Sequence, residues 1–138
     1  MITRQVVLDA SAVVAWLMKE RGCQTVDKLL PVAVVPSSAL AESLYRAVER
    51  GHALPAEELY HALLVTGIFV EPVTESDAVR AAELIAWSRT QDEDQLDRSL
   101  SLGDGLCIAV AERLGLLVTG GDEYWETVPM AAEYVPFR

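Results

Sequence analysis

The chain has 138 residues, 51% of them hydrophobic and 23% charged, with 11 Lys plus Arg against 21 Asp plus Glu and a net charge of -10. That length and apolar share predict one folded domain over residues 1–138 and exclude a disordered acidic tail. Two cysteines, Cys23 and Cys107, are too few for a disulfide framework, and the excess of acid argues against a free nucleic-acid-binding module, whose footprint is basic.

The acid is unevenly spread: residues 71–138 hold 5 basic and 14 acidic side chains, against 6 and 7 in residues 1–70. Carboxylates gathered around a divalent cation, or a basic protein partner, would account for such a surface. The opening residues lack the pattern of a secretory leader, and no apolar run reaches the length of a membrane span. A cytoplasmic protein with no membrane association is expected.

In chain order, Val6-Val7-Leu8 is a short apolar run that stops at Asp9 and reads as a buried strand. Helices are predicted over Ser11–Lys19 and Gln24–Leu30, then a strand over Val32–Val35 stopped by Pro36. Ser37 or Ser38 is the expected N-cap of a helix from Ala39 to Arg50, with Gly51 as its stop. A helix over Ala56–Thr66, a strand over Ile68–Val70 and a helix from Thr74 or Glu75 to Ser88 follow. Thr90–Arg98 is polar and reads as an exposed loop or helix end. Leu102–Leu114 is a helix closed by Gly115, Leu116–Val118 a strand, and Tyr134–Phe137 a last edge strand because of Pro136. Apolar strands without alternation, separated by helices, predict a three-layer α/β/α sandwich around a central, mostly parallel sheet.

Ligands of such sheets sit beyond the carboxyl ends of the strands. Asp9 directly follows one strand, with Ser11 at the next helix start, and Asp122 lies just past another. Asp9 also reads as the N-cap of that helix, and Asp122 as a loop or first-turn acid. Glu42 stands in an apolar helical neighbourhood, where a carboxylate is costly unless paired, and Arg46 one turn on is its ordinary partner. Asp104 pairs with Ser101 in a weak capping box, and Gly103 and Gly105 leave room beside it. Three or four carboxylates converging without a basic residue between them would repel one another unless a cation compensates. Hard oxygen ligands suit Mg²⁺ or Mn²⁺, and the chemistry associated with them is phosphodiester hydrolysis. His52 and His61 read as surface or packing residues, no Ser-His-Asp arrangement is visible, and no dinucleotide or P-loop signature occurs. Of the three Trp residues, Trp125 is the candidate for stacking on a base.

Taken in order, these motifs resemble the PIN-domain family, and specifically the VapC-type toxins of toxin–antitoxin pairs. A strand runs into D-x-S at Asp9-Ala10-Ser11, a helix carries Glu42, Leu100-Ser101-Leu102-Gly103-Asp104 matches L-S-L-x-D, and Thr119-Gly120-Gly121-Asp122 approximates a final T-x-D. The match spans about residues 5–125. It departs at Gly120, where the family carries a hydroxyl, with Thr119 one residue earlier. The resemblance implies an endoribonuclease requiring Mg²⁺ or Mn²⁺, a homodimer, and a cognate VapB-like antitoxin with a basic tail. It implies that Asp9, Glu42, Asp104 and Asp122 are the catalytic and metal-binding acids, supported by Ser11 and Thr119. Arg46 and Arg98 are candidates to meet an RNA phosphate. Two alternatives stay open: a catalytically silent PIN-like interaction domain, and a receiver-like signalling domain, which would need paired acids at its first strand and a late Lys.

Overall fold

Residues 3–91 and 99–138 are described by the computed structural model. Four parallel strands form its sheet: β1 (Val6–Leu8), β2 (Ala33–Pro36), β3 (Phe69–Glu71) and β4 (Leu117–Thr119), in the spatial order β3-β2-β1-β4. Between them run α1 (Ala10–Leu17), α2 (Cys23–Leu29), α3 (Ser37–Glu49), α4 (Ala56–Val65), α5 (Glu75–Arg89) and α6 (Leu102–Leu114). The strands are short and their side chains point alternately to opposite faces. Val6 and Leu8 of β1 therefore join one apolar cluster with residues of α1, α2, α3 and α4. Val7 joins a second with Leu84 of α5, Ile108 of α6 and Trp125. The three-layer α/β/α sandwich expected from unalternated apolar strands is the architecture observed.

Local chemistry explains most boundaries. Gly115 ends α6 in the left-handed conformation at φ 67°, which a residue without Cβ adopts without penalty. Thr74 and Asp77 close a reciprocal capping box on α5. The start of α3 departs from expectation. Pro36 occupies the cap position and neither serine caps the helix; Ser37 Oγ instead accepts from Val73 N–H at 3.2 Å, tying α3 to the chain after β3. The expected final strand is reduced to one parallel bridge between Tyr134 and Val118, continued by a Phe137 N–H bond to the Gly120 carbonyl. Thr90 caps α5, Gln91 donates to the Trp87 carbonyl at 3.1 Å, and residues 92–98 of the predicted exposed loop, Arg98 included, lie outside the described residues. Among the described residues no helix is long and apolar enough to cross a membrane.

The strand order places a topological switch between β1 and β4, because the chain moves from β1 toward β2 and β3 but returns to the other side of β1 for β4. In parallel sheets the crevice opens at such a point, beyond the carboxyl ends. Asp9 follows β1, and Gly120-Gly121-Asp122 follows β4.

Candidate active site

A crevice of about 360 Å³ lies at that switch point, and Asp9, Glu42, Asp104 and Asp122 all line it, with Ser11, Arg46 and Arg138. Two helices and two strand ends thus deliver the four acids singled out from the sequence. A larger groove of about 690 Å³ between α1, α2 and α4, lined by Trp16, Cys23, Leu54 and Leu59, carries none of them.

The same acids also serve locally. Asp9 Oδ1 caps α1 by accepting from Ala12 N–H at 2.9 Å. Asp104 Oδ2 accepts from Ser101 N–H at 3.0 Å while Ser101 Oγ accepts from Asp104 N–H. Asp122 Oδ1 accepts from Tyr124 N–H at 3.0 Å, and Glu42 Oε2 lies 3.2 Å from Arg46. A cap engages one oxygen. Among the described residues the second oxygens of Asp104, Asp122 and Glu42 make no hydrogen bond, so each acid is held by its element and still presents an acceptor. Capping and site duty therefore reinforce each other here.

Asp9 is the most constrained. It is buried, its N–H donates to the Thr119 carbonyl at 3.1 Å, and its two oxygens share the Ser11 hydroxyl at 2.7 and 2.9 Å. Ser11 Oγ in turn accepts from Gly121 N–H at 3.1 Å, so one hydroxyl ties the end of β1 to the turn after β4. Thr119 supports Asp9 through its backbone; its hydroxyl makes no hydrogen bond among the described residues. Burial pushes the Asp9 carboxyl up to about 7, partly offset by Ala12 N–H and Ser11 and assisted by the Asp104 and Glu42 charges. Asp104 is raised too, by burial first, with the Asp122 charge adding to the shift.

Two glycines lie directly against these carboxylates. A methyl placed on Gly120 would sit 2.6 Å from Asp9 Oδ2, and one on Gly103 would sit 2.5 Å from Glu42 Oε1. Gly105, by contrast, serves the packing of α6 on α5, since a Cβ there would meet Ile85 at 2.8 Å. The departure at Gly120 is thus a steric requirement of this chain: the Asp9 carboxylate occupies the space a side chain would need. We expect Gly120→Ala to destabilise the protein by about 1–3 kcal/mol through overpacking, seen as a lower melting temperature. A melting temperature equal to wild type would show that Asp9 has room to move.

Trp125, the base-stacking candidate, is 1% exposed and packs into the second cluster, which removes it from any RNA surface. His52 accepts from Leu54 N–H and His61 lies on the surface near Glu57, as expected of residues outside the chemistry. Two residues of the site escaped the sequence reading. Tyr134 Oη lies 3.0 and 2.9 Å from the carbonyls of Gly120 and Asp122 and fixes the turn that carries Asp122. Arg138 reaches the crevice from a segment in which no spacing rule marks it.

Among the described residues no group of three or more His, Cys, Asp or Glu side chains is set to hold a metal ion directly. The donor chemistry nevertheless fits a hard divalent cation. Mg²⁺ keeps most of its water and takes one or two carboxylates, and a buried carboxyl held near 7 by burial and like charge is one that a cation would relieve.

Comparison with known proteins places the fold. The fold matches the VapC20 toxin of Mycobacterium tuberculosis, described as cleaving the sarcin-ricin loop, with a TM-score of 0.66 at 20% identity over 89% of this chain and 95% of that one. It matches a toxin–antitoxin complex from Klebsiella pneumoniae with a TM-score of 0.72 at 14% identity, covering 97% and 98%. DNA-bound VapBC from Salmonella typhimurium gives 0.69 at 15% identity, covering 99% and 100%. At these identities the likeness is one of fold. No curated protein sequence matches. The PIN domain family itself matches residues 6–129, from the first residue of β1 to just past the turn that carries Asp122, and the chain belongs to that family.

Proposed function

We propose that this protein is a divalent-metal-dependent endoribonuclease and the toxin of a toxin–antitoxin pair, acting as one unit over residues 1–138. The observation that carries the reading is the convergence of four acids from separate elements at the sheet's switch point, with Asp9 held near 7 among them. Asp9 and Asp104, with Asp122, would hold Mg²⁺ or Mn²⁺. Bound there, the ion offsets the negative charge that grows on the phosphate oxygens during hydrolysis.

The remaining steps belong to the chain's own side chains. Ser11 keeps Asp9 turned to the crevice, and the Ser101 cap does the same for Asp104. Glu42 presents its unbonded oxygen over the bare backbone of Gly103, where it orients an attacking water and accepts its proton. Arg46, beside Glu42, donates to a phosphate oxygen of the substrate. Water adds to phosphorus, the P–O bond to the departing ribose oxygen breaks, that oxygen takes up a proton from solvent, and one strand becomes two.

Partner and setting follow from the same reading. A net charge of -10 favours a basic antitoxin segment, and the structural neighbours include toxin–antitoxin assemblies. Exposed apolar side chains such as Val65 on α4 and Val79 on α5 offer surface for a homodimer. The protein would act in the cytoplasm, where RNA is available. The receiver-like alternative lapses with the family assignment.

The test is cleavage of total RNA by antitoxin-free protein with Mg²⁺, with EDTA, and with Asp9→Asn. Discrete fragments that require both the metal and Asp9 are expected. The absence of a ready three-ligand group among the described residues leaves one rival, a silent interaction domain. Folded protein that cleaves no RNA and takes up no Mn²⁺ in calorimetric titration would establish that rival.

A further inference from the structure

We infer that Arg138 is a phosphate-binding residue of the crevice, holding the RNA strand beside the four acids; this rests on the ribonuclease reading. The problem it addresses is electrostatic. A pocket lined by four carboxylates repels a polyanion, and four of the chain's nine arginines are committed elsewhere. Arg80 pairs with Glu112, Arg113 with Asp77 and Glu71, and Arg50 with Glu20, while Arg4 donates to three carbonyls. Of the two arginines that line the crevice, Arg46 is divided between Glu42 and the phosphate it is proposed to meet. Arg138 is the other, and among the described residues its nearest carboxylate is Glu20, at 4.0 Å.

Its position is built. Phe137 is buried in the first apolar cluster, against Gly22, where a Cβ would come within 2.7 Å of the ring. Gly22 has φ 90°, so a side chain there would meet both steric and backbone penalties. With Phe137 seated, the Arg138 guanidinium lies 4.9 Å from that ring's centre and donates weakly to the Arg21 carbonyl at 3.4 Å. It then passes alongside Gly121, where a methyl would sit 3.0 Å from Nε and 3.1 Å from Nη2. The glycine after β4 leaves the slot through which the cation reaches the site. A guanidinium has five N–H donors in a planar fork suited to phosphate, and this one spends few of them on the protein.

The test compares wild type, Arg138→Gln and Arg138→Lys in cleavage of total RNA with Mg²⁺, at low and saturating RNA and over a range of KCl. Arg138→Gln is expected to cleave about tenfold more slowly at low RNA, the effect of losing one charge-assisted contact, and within about twofold of wild type at saturation. Its log rate against log salt should be less steep by about 0.7, one phosphate contact fewer on a single strand. Arg138→Lys should recover the salt slope. A wild-type rate and slope in Arg138→Gln, while wild type cleaves, would overturn the role of Arg138 and leave the ribonuclease standing. So would an equal loss at low and saturating RNA accompanied by a lower melting temperature, which marks an anchor of the chain. Wild type that cleaves no RNA would overturn both.

Discussion

Asp9→Asn is expected to slow RNA cleavage severely and, in EDTA at neutral pH, to raise the melting temperature. The two effects have one cause. Asp9 is 7% exposed and faces Asp104 and Glu42, so its carboxyl is raised from 3.8 to about 7. Between those values the folded protein retains a proton that the unfolded chain has released. Stability contributed by this group is therefore fully present below pH 3.8 and is lost as pH rises toward 7 and through it. By pH 8 the cost amounts to roughly 2–4 kcal/mol, at about 1.4 kcal/mol per pKa unit. Asparagine cannot ionise, yet its oxygen can still accept from Ala12 N–H. The variant should melt about 5–10 °C above wild type at pH 8 without metal, and the difference should shrink at pH 4. Saturating Mg²⁺ should close the gap by stabilising the wild type alone. Cleavage should fall on the order of 10²–10³-fold, the scale of removing one group that organises charge in a transition state. Calorimetry in EDTA at pH 4 and pH 8 decides the matter: a variant no more stable than wild type at pH 8 would mean that Asp9 is not a carboxyl held against its charge.

This conflict between stability and chemistry also explains what could be read from the sequence. Val6-Val7-Leu8 stopping at Asp9 is legible because a buried parallel strand must be apolar throughout, and the first polar residue then falls at the carboxyl edge, where ligands sit. Glu42 stands out because an apolar helix face tolerates a carboxylate only with a partner. Such signals are local. Tyr134 and Arg138 were invisible because they act through chain placement: Tyr134 reaches the Gly120 and Asp122 carbonyls from beyond a 3-10 turn, and Arg138 arrives only because Phe137 is buried against Gly22. The helix start at Pro36 was misread for a similar reason. Ser37 is drawn to Val73, 36 positions away, so a tertiary hydrogen bond takes the serine that local preference would assign as cap. Gly120 was legible as a departure and not as a cause, since the Asp9 carboxylate that fills its space comes from the adjacent strand.

The largest purely structural effect is expected for Arg113→Ala. Arg113 sits in the last turn of α6 and joins three elements. Its Nε and Nη2 donate to Asp77 of α5 at 2.9 and 3.0 Å, and Nη1 donates to Glu71 of β3 at 2.9 Å. Asp77 is 1% exposed, and its other support is the Thr74 N–H at 2.9 Å. Burial alone would raise the Asp77 carboxyl; the Arg113 guanidinium and the Thr74 cap outweigh it and hold the group below its ordinary range. Removing the arginine leaves a buried, nearly unpartnered charge, and breaking such a pair from one side costs about 3–5 kcal/mol. The melting temperature should fall by roughly 10 °C or more for a domain of this size. The sign with pH is opposite to that of Asp9. A depressed carboxyl contributes stability above its unfolded value, and that contribution is lost as pH falls through the folded value. The deficit of Arg113→Ala should therefore be full at pH 7 and shrink in acid, where Asp77 takes up a proton and no longer needs the cation. Adding Asp77→Asn to Arg113→Ala should recover part of the loss at pH 7 by removing the stranded charge. A deficit below about 1 kcal/mol, the scale of a surface pair, or one that does not change with pH, would show that the ion pair is not what locks α6 to α5 and β3.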